Sequence, residues 1–261
     1  MSTVVVLHAH PDDEAIFTGG TIALLADAGH RVVVVFATSG ELGTGAGPGL
    51  AGRRREEARA ACRLLGARRV VFLDHHDSGV HPDPAERPLG AFSNVAVHHA
   101  ADHVAALLDG EGADVLVTYD SCGVYPHPDH LHVHRVGSEA ARSSGLHTWY
   151  EVTVDREYLH FVDTHVAALA GAAVEPMLRL GSATVEITTT VDVRPVLARK
   201  LLAIAEHGSQ VPDPTFGAEH RFPEVYGYEW FIRHGPAHVL EDLVAGAGAG
   251  AGAVTPAPTT G

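Results

Sequence analysis

Along the first 150 positions, short apolar runs alternate with longer stretches that are apolar on one side only. The runs at 4–7, 31–38, 70–73 and 115–119 are rich in valine, and each is followed by a segment (15–28, 53–66, 95–108, 128–142) with apolar residues at three- and four-residue spacing. A strand covered on both faces shows no polar side, whereas a helix lying on a sheet needs only one apolar stripe. In 53–66 that stripe is Ala58, Ala61, Cys62 and Leu65, opposite Arg53, Arg54, Arg55, Glu56, Glu57 and Arg63. The rhythm predicts βαβ units and therefore a three-layer, Rossmann-like α/β fold with a mainly parallel sheet. Ligand sites then belong at the strand C-terminal ends. Beyond Trp149 the pattern loosens, predicting strands at 149–154, 184–191 and 226–232 and a helix at 193–207 that complete the same domain.

Two loops, 39–52 and 74–94, exceed ordinary βα connections and are candidate walls of a site. From Ala245 the chain reads AGAGAGAGAVTPAPTTG, without charge or aromatic residue, and such a segment buries too little apolar surface to offset its ordering entropy. The expectation is one domain over 1–244 and a disordered tail over 245–261.

Composition narrows the function. Of the 261 residues 46% are apolar, yet the longest purely apolar runs fall far short of the ~20 residues of a membrane span. The N-terminus enters a strand-like run without a basic leader, and the cysteines are only Cys62 and Cys122, so a cytoplasmic chain without a disulfide framework is expected. A formal charge of −14 argues against nucleic acid or an anionic membrane as partner and for a small molecule. The oligomeric state is left open, a homo-oligomer included. Lys200 is the only lysine, which excludes a phosphate-binding GK[ST] loop.

Chemistry concentrates in two turns. The run Val4-Val5-Val6-Leu7 leads into His8-Ala9-His10-Pro11-Asp12-Asp13-Glu14, and the run 115–119 leads into Tyr125-Pro126-His127-Pro128-Asp129-His130. Proline at a first helical position followed by acids suits a helix N-terminus, so capping alone could account for either turn. It does not account for imidazole and carboxylate gathered within one helical turn in both, where side chains converge on a point. Metal-dependent hydrolases use three N/O ligands and leave the remaining position for water, whose pKa falls to around 7. His10, Asp13 and His130 offer a His₂Asp set for one Zn²⁺ or another divalent ion per chain. Asp12, beside a ligand, is the candidate general base, with Tyr125 and His127 as nearby donors.

These turns resemble the PIG-L/LmbE-like zinc N-deacetylases, whose motifs are a strand-borne H-P-D-D-E and a later H-P-D-H. The resemblance extends to Gly19-Gly20-Thr21, Thr38-Ser39-Gly40-Glu41, Arg54-x-x-Glu57, Asp77-Ser78-Gly79 and Lys200 through His207-x-Ser209-Gln210, covering most of 3–210. It is nearest the branch acting on N-acetylglucosaminyl-inositol and mycothiol conjugates. The resemblance implies hydrolysis of an N-acyl amide on an amino sugar. It matches His10, Asp13 and His130 to the metal ligands, Asp12 to the base, and Tyr125 and His127 to the groups facing the oxyanion. Asp129 would orient His127 or a ligand, and Arg54, Asp77 and Glu41 would hold the sugar.

Three weaker signals compete. Gly47-Pro48-Gly49-Leu50-Ala51-Gly52 fits the dinucleotide pattern G-x-G-x-x-G of an oxidoreductase, but it starts nearly ten residues after its strand and Pro48 removes a donor. His8-Ala9-His10 also fits the opening of a metal-dependent amidohydrolase barrel, but eight βα units are not visible. A zinc-binding module without catalysis would use His75-His76 or His98-His99, but would not need Asp12 beside Asp13. His132 and His134 read as partly buried polar residues and Cys62 as core.

Overall fold

The computed structural model describes residues 1–81, 83–161, 180–211 and 222–250. The chain begins with β1 (Thr3–His8), the short helices α1 (Asp13–Phe17) and α2 (Gly19–Asp27), β2 (Arg31–Thr38), α3 (Leu50–Leu65) and β3 (Arg69–His75). It continues with α4 (Val97–Glu111), β4 (Val115–Tyr119), α5 (Pro128–Ser143), β5 (Thr148–Thr153) and α6 (Arg156–Phe161). After these come β6 (Thr189–Asp192), α7 (Leu197–Glu206), α8 (Phe222–Tyr226), β7 (Tyr228–His234) and α9 (Val239–Gly250).

The seven strands form one sheet in the order β3-β2-β1-β4-β5-β7-β6. The first five run parallel, and β7 lies antiparallel to both β5 and β6. From β1 the chain winds outward through β2 to β3, then returns to the other side of β1 and winds through β4 to β5. Right-handed crossovers in opposite directions place their helices on opposite faces, which makes three layers. Accordingly α4 packs with α5, while α2, α3 and α7 pack with one another. The reversal between β1 and β4 opens a crevice at their C-terminal ends, and both histidine turns emerge there.

The sheet centre is apolar on both faces, as the valine runs predict: Val4, Val5, Val32, Val33, Val34, Val115 and Leu116 are fully buried, as are Ala58, Ala61, Cys62 and Leu65. His132, expected to be partly buried, is buried against the Phe92 ring.

Three local expectations need correction. The helix read over 15–28 is two helices, because Thr18 adopts an extended φ of −133°. Its hydroxyl donates to Glu14 O at 3.0 Å and lies 2.9 Å from His8 Nε2, a side-chain alternative to the helical ladder. Two residues on, Gly20 is required because α2 presses on Val193: a Cβ there would meet that side chain at 2.3 Å. The strand read over 184–191 exists only as β6, and Thr184–Glu186 form a 3₁₀ turn. There the Thr184 hydroxyl bonds Asp155 and Glu157, and Glu186 accepts the Ala183 N–H, so local side-chain bonds override β-propensity. Helix α9 carries regular backbone to Gly250, six residues into the segment read as tail, and 251–261 lie outside the described residues. The glycine-rich stretch 47–52 ends a largely exposed loop, with Gly49 in left-handed backbone before α3, and it does not follow β2 directly as a dinucleotide turn must.

Candidate metal centre and active site

His10 leaves the end of β1 with a buried side chain, and Asp13 curls back so that its Oδ2 accepts the His10 N–H at 2.9 Å. From the neighbouring strand, Pro128 opens α5 and aims His130 at the same point. His10 Nδ1, Asp13 Oδ2 and His130 Nε2 lie 3.5, 3.4 and 3.3 Å from one another. A tetrahedral ion with bonds of about 2.0–2.1 Å needs ligand atoms about 3.3–3.4 Å apart, so the triangle has the right size. The remaining ring nitrogens fit too: His10 Nε2 lies 3.2 Å from Asp129 Oδ2, and His130 Nδ1 lies 2.9 Å from Gly123 O. Such partners fix the tautomer that leaves the ligating nitrogen free.

His10 also comes together with His127 and His130, and with Asp77 and Asp129, closely enough to suggest other ligand sets. Both conflict with the hydrogen bonds. Asp129 already pairs with the far nitrogen of His10 and accepts from the Ser78 N–H at 2.9 Å and from the Ser78 hydroxyl, while His127 Nδ1 accepts the Asp129 N–H at 3.1 Å. Asp129 therefore orients a histidine of the triangle by its carboxylate and His127 only by its backbone.

Electrostatics follow from this crowding. Burial opposes ionisation of Asp13, but His130 and His10 outweigh it and hold the carboxyl well below its ordinary range. Burial would lower His10, yet the carboxylates of Asp129, Asp13 and Asp77 hold it well above the usual imidazole value. His127 is pushed down to about 4 by burial and then by His10 and His130. A neutral His127 whose Nδ1 is an acceptor carries its proton on Nε2, as a hydrogen-bond donor. Burial and the adjacent Asp13 push Asp12 up to about 7, against the opposing pull of Arg54.

A cleft of about 410 Å³ adjoins the triangle, and His10, Asp12, Arg54, Asp77, Tyr125 and His127 are among its lining residues. Arg54 is buried: its guanidinium donates to Gly40 O at 2.8 Å, to Pro11 O, and to Asp12 Oδ2 at 3.1 Å. It holds the Asp12 carboxylate as well as facing the cleft. Gly40, at φ 62°, is obligatory beneath it, since a Cβ would meet the guanidinium at 2.2 Å. Asp77 accepts from the Gly79 and Leu42 N–H groups at 2.8 and 3.1 Å. Glu41 is not among the lining residues; its Oε1 accepts the Asp77 N–H at 3.0 Å, so it braces Asp77 from behind.

Several working residues carry no role from the sequence reading. Ser78 holds Asp129, His8 links Tyr119 and Thr18 beneath the turn, and Gln210 pairs with Thr44 through both amide atoms at 2.9 and 3.2 Å across the cleft wall. Ser78 and Gln210 stand in segments singled out by the resemblance, which was their only signal.

Comparison with known proteins agrees with this geometry. Residues 5–141 match the family model described as PIG-L, GlcNAc-PI de-N-acetylase. The chain belongs to the PIG-L family. The matched description names a de-N-acetylase, a hydrolase of a carbon–nitrogen bond, and both histidine turns of this PIG-L chain fall within the matched span. The 1D-myo-inositol 2-acetamido-2-deoxy-alpha-D-glucopyranoside deacetylase of Actinosynnema mirum is 34% identical, over 94% of this chain and 97% of that protein. Among solved structures, the N,N'-diacetylchitobiose deacetylase of Pyrococcus horikoshii superposes with a TM-score of 0.58 at 24% identity, over 89% of this chain and 84% of that one. The 4-carboxy-2-hydroxymuconate hydratase of Pseudomonas putida superposes equally well, with a TM-score of 0.59 at 19% identity over 92% and 98%. One fold thus serves more than one reaction, and the reaction has to be argued from the site. Among the described residues no helix is long and apolar enough to cross a membrane.

Proposed function

We propose that this protein is a zinc-dependent deacetylase that removes the N-acetyl group from an amino sugar such as an N-acetylglucosaminide, with His10, Asp13 and His130 as the metal ligands. The observation that carries this reading is the triangle of ligand atoms at 3.3–3.5 Å with Asp12 beside it on the cleft wall. The substrate class is supported by the Actinosynnema mirum relative, whose name specifies a 2-acetamido sugar on inositol.

Held by His10, Asp13 and His130, a zinc ion would supply Lewis acidity toward the amide carbonyl and toward water. Asp12 takes a proton from the attacking water as its oxygen bonds to the carbonyl carbon. His127, donating from Nε2, and the Tyr125 hydroxyl face the oxygen on which negative charge develops. As the carbon–nitrogen bond breaks, the proton gathered by Asp12 is available to the leaving nitrogen, so the products are acetate and a free amino sugar. Arg54 keeps Asp12 turned into the cleft, and Asp77 faces the sugar, whose hydroxyls both donate and accept.

The test is release of primary amine from a panel of N-acetylated amino sugars by zinc-loaded protein. N-acetylglucosaminyl-inositol or a related N-acetylglucosaminide should be cleaved. Absence of amine release from every N-acetylglucosaminide, together with cleavage of another bond class such as a phosphoester, would refute the reading.

A further inference from the structure

Glu14 and His207 form a fully buried pair that belongs neither to the ligand triangle nor to the cleft lining, with His207 Nε2 2.7 Å from Glu14 Oε1. Glu14 continues inward through its other oxygen: Oε2 accepts the backbone N–H of Asp12 at 2.9 Å. Asp12 has an unusual backbone, at φ 110° and ψ −32°, farther from the left-handed helical region than the other positive-φ non-glycine residues Asp74 (φ 61°) and Val124 (φ 64°). A residue bearing a Cβ persists there only where its surroundings over-determine it, and such strain collects at functional sites. Arg54 fixes the Pro11 carbonyl and the Asp12 carboxylate, so the Asp12 N–H is left to Glu14.

His207 is suited to hold Glu14 in turn. Among the described residues its buried Nδ1 has no hydrogen-bond partner, so a proton there would go unsatisfied and the ring presents its N–H from Nε2 to the carboxylate. Its backbone cannot drift, because its carbonyl accepts from the Gln210 and Val211 N–H groups at 2.9 and 2.8 Å. Ser209 bonds Glu57 on α3 through its N–H and hydroxyl at 3.0 and 2.6 Å, and α3 is the helix that carries Arg54.

We propose that His207, acting through Glu14, is a positioning residue that holds Asp12 in the conformation required of the general base. The inference rests on Asp12 being that base, as argued above. His207 touches no reacting atom; its effect is on where the Asp12 carboxylate points.

The experiment compares His207→Leu in wild-type and Asp12→Ala backgrounds, using zinc-loaded full-length protein and an N-acetylglucosaminide. In the wild-type background kcat should fall by about 10- to 100-fold, the scale of a misplacement near 1 Å, with KM and zinc content unchanged. His207→Gln, whose amide still donates to Glu14, should stay within about threefold of wild type. In the Asp12→Ala background, His207→Leu should change the residual rate by less than about twofold, since no carboxylate remains to be positioned. If His207→Leu does not fold, Glu14→Asp takes its place: it keeps the charge but is one methylene too short to serve both partners, and the same non-additivity is expected. Equal losses in both backgrounds would overturn the proposal alone. An unchanged kcat in Asp12→Ala itself would instead overturn the general-base assignment beneath it.

Discussion

The two ends of the chain contribute different things to one site. The first, up to α5, supplies the groups proposed for the chemistry: two turns at the ends of adjacent parallel strands carry the His10–Asp13–His130 triangle, Asp12, Tyr125 and His127. The second, from α7 onward, supplies constraint. Glu229 of β7 accepts the Gly20 and Thr21 N–H groups at 2.8 Å each and pairs with the buried Lys200 at 2.7 Å, fixing α2 directly behind the first turn. His207 reaches Glu14, and Gln210 ties down Thr44 of the cleft wall. Reactive groups can be gathered by short turns on a parallel sheet. Keeping a strained Asp12 in place takes contacts from nearly 200 residues away.

That division can be broken from either side. The largest effect is expected at the triangle: His130→Ala should abolish both stoichiometric metal and activity, measured by elemental analysis of protein prepared without a histidine tag. Retention of one metal per chain in His10→Ala/His130→Ala would dismiss this ligand set. A smaller loss is expected one residue from a ligand, where Asp12→Ala should keep the metal and lower kcat by about 10²–10⁴-fold, the range for a lost general base. Asp13→Ala should weaken metal binding instead, and equal metal loss in both variants would reverse the roles. On the constraining side, Lys200→Met should cost about 3 kcal/mol in a denaturant melt while turnover per folded, metal-loaded molecule stays the same. This is the low end of the range for breaking a buried ion pair, because Glu229 keeps its two backbone donors and the helix N-terminus. Lost turnover at unchanged stability would show that the Lys200–Glu229 pair does more than hold α2.

How much of this can be read from sequence follows from the same contrast. The parallel strands and both histidine turns are legible because valine runs and His-Pro-Asp spacing are local signals, and Arg54, Asp77, Tyr125 and His127 do come together in one cleft. Glu41 was expected at the sugar and instead braces Asp77, a difference of orientation that no spacing encodes. The break at Thr18 depends on His8 and Glu14 meeting one hydroxyl, and the 3₁₀ turn at Thr184 depends on Asp155 and Glu157 from an earlier element. The Glu14–His207 pair joins residues 193 apart, and an isolated histidine after a helix carries no mark of such a partner.

The most direct test is a zinc titration of chelator-stripped protein, following amine release from an N-acetylglucosaminyl-inositol. Activity should rise linearly with added zinc and level off at one equivalent per chain, and Asp12→Ala should bind the same single equivalent while remaining nearly inactive. Full amine release by metal-free protein, or a plateau only at two equivalents, would contradict a single His10–Asp13–His130 centre served by Asp12.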